Sequence, residues 1–338
     1  ELLARAAPLG PVLTPTRREL DLTDPASIEA LLDATRPALV LNAAAYTAVD
    51  RAESEPALAH AVNALGPAAL ARACHRLGAT LVHVSTDYVF GDDVRDPARH
   101  RRSPEASPDR HDDTPEPRLW CEDDDADPLS VYGRTKLAGD RAVLDAVAHG
   151  ARAYVFRIGW VYAAPPAALA ATSDSDAARA RASAEPAPAP RGFFATIRQR
   201  AQLGQSMDVV ADRFGSPTWA GAVAAAVVRA LGTPHAPPGL YHLAARDGTT
   251  WYGFAQAIVD AFAPAHHPLG RAGPPRSEVR PTHSTEPPPG IARRPRVSRL
   301  DPSRFEATFG FGLASWREQL AACAATMPDA DRSRRADH

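Results

Sequence analysis

The sequence predicts a doubly wound, parallel α/β sheet carrying a smaller α/β lobe, and three observations predict it. Short apolar runs alternate with stretches of helical periodicity at a spacing that suits βαβ units. Each apolar run ends in small or polar residues, as strand ends at a ligand crevice do. The 338 residues, 45% hydrophobic and 23% charged, can fill one large or two modest domains with a real core.

Residues 36–45 read as a buried strand ending in Asn42 and three alanines. Leu58, Val62, Leu65, Leu70 and Leu77 space out a helix over 56–77. A second strand, Ala79–Val84, runs into Ser85-Thr86-Asp87, and a helix over 131–149 leads to the strand Ala153–Ile158. Asn42–Thr47, Ser85–Tyr88 and Gly159–Tyr162 therefore follow predicted strands and should meet at one crevice. Beyond residue 192 the pattern is mixed. Phe193–Leu203, Trp219–Leu231 and Trp251–Phe262 read as helices and Gly239–Leu243 as a strand.

Nineteen of the 33 prolines fall in 92–128, 163–191 and 264–290, which argues against packed helix or strand there. The segments 92–119 and 163–191 read as disordered insertions, too poor in apolar residues to dock. The expected organisation is a nucleotide-binding domain over 1–162, the insertion 163–191, mainly a substrate-binding lobe over 192–325, and a frayed tail, 326–338.

Composition excludes several functions. Thirty-eight basic against forty acidic residues give no nucleic-acid footprint and no polybasic membrane patch. No apolar run reaches the ~20 residues of a membrane span, and no signal-peptide layout is seen. Cys74, Cys121 and Cys323 support neither a disulfide framework nor a zinc site. A soluble, cytoplasmic protein without nucleic-acid or membrane partners is expected.

Tyr132 and Lys136 stand four residues apart on one helix face. A phenol titrates near ~10, and a neighbouring ammonium should bring that value down. Lys136 is also the only lysine among the 38 basic residues, a position kept where arginine will not serve. Ser85 or Thr86, at a preceding strand end, adds a hydroxyl to polarise a carbonyl; strand alternation aims the two oppositely. Tyr-x-x-x-Lys by itself equally suits an exposed helix face.

Three segments carry a family resemblance: Ser85-Thr-Asp-Tyr-Val-Phe90, Pro128-Leu-Ser-Val-Tyr-Gly-Arg-Thr-Lys-Leu-Ala-Gly139 and Asn42-Ala-Ala-Ala-Tyr-Thr-Ala-Val-Asp-Arg-Ala-Glu53. With Arg157-Ile-Gly-Trp-Val-Tyr162, Phe214-Gly-Ser-Pro-Thr-Trp-Ala220, Gly239-Leu-Tyr-His-Leu-Ala244 and Arg293-Arg-Pro-Arg-Val-Ser-Arg-Leu-Asp301, they resemble the extended short-chain dehydrogenase/reductases. More narrowly they resemble the dTDP-4-dehydrorhamnose reductases, over residues 9 to 320. The resemblance implies a Rossmann-type domain, NADPH or NADH as hydride donor, and a dTDP-sugar ketone as substrate. It makes Tyr132 the proton donor, Lys136 its tuner and ribose ligand, and Thr86 the partner of the keto oxygen. Asp21 and Leu22 would lie near the adenine, and Ala45, Tyr46 and Thr47 along the cofactor. Asp87 and Trp160 would touch the substrate, against the plainer readings of a turn cap and a packed core ring. Arg213, Arg293, Arg294, Arg296 and Arg299 are candidates for the diphosphate. Another sugar-nucleotide reductase or epimerase, or a non-catalytic subunit on this fold, is the alternative. A homodimer and magnesium at its contact are family features that no residue here places, and His266-His267 lack metal-ligand spacing.

One departure stands out. The family opens with a strand and a Gly-rich turn that receives the cofactor pyrophosphate. Here Glu1-Leu-Leu-Ala reads as the middle of the first helix, with Gly10 as its C-cap. The expectation is a fragment lacking its first strand, with two neighbouring strands unpaired, marginal folding and poor NADPH binding.

Overall fold

The computed structural model describes residues 1–92, 119–164, 192–262 and 277–327. The main sheet has four strands in the order Leu39–Asn42, Thr80–Thr86, Ala153–Ile158 and Gly239–His242, with every pair parallel. Their apolar content suits strands covered on both faces, and Ala153–Arg157 are buried without a break. Alternation sends Leu81 and Val155 to one face and Val82 and Phe156 to the other.

Helices Pro25–Thr35 and Gly66–Leu77 cover the first face through Ile28, Leu32, Leu70 and Cys74, joined by Val143 of helix Val131–Ala148. On the opposite face, Ala220–Leu231 and Ser303–Phe309 set Val223, Val227, Phe305 and Phe309 against Phe156 and Tyr241. The strand Gly239–His242 comes from the second half of the chain, so the two expected domains interleave rather than part at residue 162. A separate core of Phe194, Ile197, Met207, Phe254, Ile258, Trp316 and Leu320 forms the smaller lobe.

The predicted helix over 56–77 is not continuous. Pro56–His60 passes into a π-turn at Ala61–Leu65 before Gly66–Leu77 resumes, leaving Leu58 and Leu65 exposed. Pro67 has no N–H to offer the Asn63 carbonyl, and the helix widens there. That carbonyl faces Gly139, where an added Cβ would come within 2.2 Å. Gly133 meets the Tyr88 carbonyl as closely, also 2.2 Å from a hypothetical Cβ. These two glycines let helix Val131–Ala148 lie directly on the π-turn and on the turn that follows the strand Thr80–Thr86.

Leu2–Ala6 is helical and is followed by a 3₁₀ turn closed by Gly10, whose φ of 137° is open to glycine but lies outside the left-handed helical region of the usual cap. Among the described residues no strand pairs with the outer edge of Leu39–Asn42 or of Gly239–His242. Helices Pro25–Thr35, Ser303–Phe309 and Trp316–Ala325 go beyond the predicted elements. Val279–Thr282 overturns the proline argument locally. It pairs parallel with Met207–Val210 in a two-stranded ribbon, where Pro281 is tolerated as at a sheet edge. Leu119 and Trp120 are buried, and Trp120 bridges to Leu300, so packed structure begins inside the segment 92–128. The bodies of the expected insertions, 93–118 and 165–191, lie outside the described residues, as do 263–276 and 328–338. Among the described residues no helix is long and apolar enough to cross a membrane.

Candidate active site

Ser130 starts helix Val131–Ala148 by accepting the Gly133 N–H at 3.1 Å. This fixes Tyr132 and Lys136 one turn apart, against the end of the strand Thr80–Thr86. The Thr86 hydroxyl donates to Asp87 Oδ1 at 3.0 Å and accepts the Tyr88 N–H at 3.2 Å. The Tyr132 phenol lies close enough for this hydroxyl to lower its pKa. Ser85, the alternative, is buried with no hydrogen-bond partner for its hydroxyl, so Thr86 is the hydroxyl that meets the phenol.

Tyr132 packs edge-on to Tyr88, with ring centroids 5.8 Å apart. Burial pushes its phenol above the ordinary value, more than the Thr86 hydrogen bond lowers it; Asp87, Tyr88 and Asp140 add to the rise. The expectation of a phenol acidified by Lys136 is therefore corrected. Lys136 Nζ turns away to the Val84 carbonyl at 2.7 Å and to His83 Nε2 at 3.3 Å. A phenol held protonated suits a proton donor better than a base. Burial brings the Lys136 amine down to about 8, with Asp140 opposing.

Asp87 is 2% exposed, and its Oδ2 has no hydrogen-bond partner. Burial raises its carboxyl to about 6, opposed by Ser298 and Thr86. Between roughly pH 4 and 6 the folded group keeps a proton that the unfolded one has lost. Its contribution to stability therefore falls as pH rises through that window and stays lost above it. Asp87→Asn should unfold at higher denaturant than the parent at pH 7, by about 1–3 kcal/mol, and show no such gain at pH 4. Equal or lower stability at pH 7 would show that the carboxylate is not strained.

Trp160 sits at φ 41°, stacked on Trp251 at 4.1 Å, and its Nε1 donates to Ser298 Oγ at 3.0 Å. Its ring lies over Gly215, where a Cβ would approach within 2.1 Å. Trp160 is thus partly a packed ring, as the plainer reading had it, yet it remains half-exposed beside Asp87.

The expected cofactor residues are less gathered. Leu22 is buried in the core with Ile28 and Leu32. Asp21 is held in a turn, accepting the Thr23 N–H at 2.8 Å and its hydroxyl at 2.7 Å. The Tyr46 hydroxyl donates to Glu55 at 2.6 Å, while Ala45 is half-exposed and Thr47 exposed at the strand end. Asn63 holds the Tyr46 backbone at both ends, accepting its N–H at 2.8 Å and donating to its carbonyl at 3.2 Å. Sequence reasoning passes over Asn63, although a lone amide inside an apolar helix is a usable signal. The same holds for His83, set in Leu-Val-His-Val and fully buried.

Beside Tyr88 opens a cavity of about 240 Å³ lined by Arg213, Arg293, Arg294, Arg296, Ser284 and Asp92. Arg294 pairs with Asp50 at 2.9 Å and also faces Tyr88. Arg213 donates to the Arg294 carbonyl. Arg299 is buried apart from this group. For a dinucleotide's nicotinamide end, the Tyr132 phenol and the Lys136 amine are the donors this strand end offers, since the Thr86 proton goes to Asp87. For its pyrophosphate, residues 1–65 offer only Gly10 among glycines, and that residue closes a helical turn. Among the described residues no group of three or more His, Cys, Asp or Glu could hold a metal.

The chain is similar to known proteins. The family model described as RmlD substrate binding domain matches residues 1–328. A dTDP-4-dehydrorhamnose reductase of Burkholderia thailandensis is 33% identical over 332 residues, covering 96% of this chain and 93% of that protein. One from Streptomyces griseus is 37% identical over 310 residues, covering 90% and 82%. The crystal structure of a dTDP-4-dehydrorhamnose reductase from Bacillus anthracis, in complex with NADP, superposes with TM-score 0.72 at 23% identity, covering 96% of this chain and 94% of that one.

Proposed function

The chain belongs to the RmlD substrate binding domain family, and from that premise we propose that it reduces the 4-keto group of dTDP-4-dehydrorhamnose to give dTDP-L-rhamnose, with NADPH as donor. The observation that carries this is the Tyr132 phenol, set beside the Thr86 hydroxyl at a strand end and one helical turn from the only lysine. Both reactants are dissolved nucleotides, which suits a cytoplasmic enzyme of sugar-nucleotide synthesis.

NADPH supplies the hydride when bound. Tyr132 gives its proton to the keto oxygen as that oxygen gains charge, and Thr86 holds the oxygen in line. Lys136 binds the nicotinamide ribose, its compact ammonium suited to a diol. Asp87 and Trp160 border the sugar. The arginines of the neighbouring cavity take the diphosphate, a planar fork matching each phosphate oxygen pair.

The full-length protein should oxidise NADPH only when the keto-sugar is present, forming dTDP-L-rhamnose in equal amount by chromatography. Oxidation with no sugar dependence, or none at all, would refute the assignment. Other dTDP-keto-sugars and NADH, run beside it, rank substrate and cofactor by kcat/KM.

A further inference from the structure

Lys136 sits in a polar seat built under the sheet's ends. Asn42 Oδ1 accepts the Ala44 N–H at 3.2 Å, which turns its amide nitrogen toward His83 Nδ1 at 3.0 Å. His83 Nδ1 is then the acceptor, and the ring proton lies on Nε2. That N–H faces Lys136 Nζ at 3.3 Å and Asp140 Oδ1 at 3.9 Å. Asp140, fully buried, accepts Arg157 Nε at 2.9 Å through Oδ2, and the Arg157 guanidinium lies 5.2 Å from the Phe90 ring centroid.

An imidazole N–H can be accepted by a free amine but not by an ammonium. The carboxylate of Asp140, one turn along the same helix, acts in the opposite sense. From this geometry, and resting on the reading of Lys136 as a residue of the reductase site, we propose that His83 and Asp140 are opposed positioning residues that set the charge of Lys136. Asp140 keeps the ammonium; His83 favours the free amine.

Other titratable and charged groups on the surrounding elements are Tyr132 and the solvent-facing Arg134, Arg141 and Asp145 on the same helix, Arg157 on the adjoining strand, and Asp87 and Tyr88 on the turn. Helix Gly66–Leu77 contributes the buried thiol of Cys74 and turns Arg72, His75 and Arg76 to solvent. Of these, Arg157 bonds Asp140 directly, through Oδ2, leaving Oδ1 toward His83.

The only lysine gives a direct readout. Full-length protein labelled with [ζ-¹⁵N]lysine should show one side-chain amine resonance, titrating near pH 8. Asp140→Asn should lower that midpoint by about one pH unit, and His83→Gln should raise it. The alkaline limb of kcat/KM should follow each shift. A merely structural role would lower stability and turnover at every pH without moving the two midpoints in opposite directions. Midpoints unmoved, or moved the same way, would overturn the proposal, and His83→Gln carries the test alone should Asp140→Asn not fold. A wild-type protein without turnover whose resonance still splits as expected would refute the reductase reading while leaving the charge control in place.

Discussion

Tyr132→Phe should lose turnover by about 10²–10⁴-fold, the range for removing a positioned proton donor, while folding and cofactor affinity stay close to the parent's. The phenol meets Thr86 and the ring packs edge-on to Tyr88. Phenylalanine keeps the ring contact and removes only the hydroxyl. Because Thr86 Oγ1 still donates to Asp87 and accepts the Tyr88 N–H, no buried donor or acceptor is orphaned by the change. Steady-state rates with saturating keto-sugar, read beside an NADPH binding titration, separate the outcomes. A variant within tenfold of the parent would mean that the proton comes from elsewhere.

Lys136→Arg should fail as thoroughly, although the charge is kept. Lys136 is 1% exposed and its Nζ fits between the Val84 carbonyl and His83. A guanidinium needs more room than that seat has; forcing extra atoms into a packed core costs ~1–3 kcal/mol. It also presents a fixed planar fork where a compact ammonium is needed to hold a ribose diol. The expected result is a lowered melting midpoint and turnover down by about 10²-fold or more. Lys136→Met, which fills the stem's volume, should fold and also be inactive. Parental turnover in the Arg variant would mean that the position of the only lysine carries no chemical meaning.

The sheet was readable because its strands are short apolar runs with polar ends. Ala153–Ile158 is found where the pattern placed it. Helix Val131–Ala148, with Ser130 as cap and a periodic face, was equally open to reading. The break at Ala61–Leu65 was only half legible: Pro67 marks it locally, but the room for the widened turn comes from Gly139, far along the chain, which lies against the Asn63 carbonyl. Val279–Thr282 was hidden by Pro281, whose cost depends on whether the strand has one neighbour or two.

In the site, residue types in a short motif placed Thr86, Tyr132 and Lys136 together. Their electrostatics did not follow from the spacing. Burial raises the phenol, and the amine faces His83 and Val84 rather than Tyr132. His83, Asp140 and Arg157 come from three elements, so only the folded sheet shows that they form one chain of contacts. Leu22 shows the converse. A motif position that resembles a cofactor contact spends its side chain on the core.

The most direct test of the account follows the hydrogen itself. With NADPH carrying deuterium at both positions of nicotinamide C4, the full-length protein should deliver deuterium to C4 of the sugar, seen by NMR of the isolated dTDP-L-rhamnose. Protium at that carbon, in a product formed while the labelled cofactor is consumed, would contradict it.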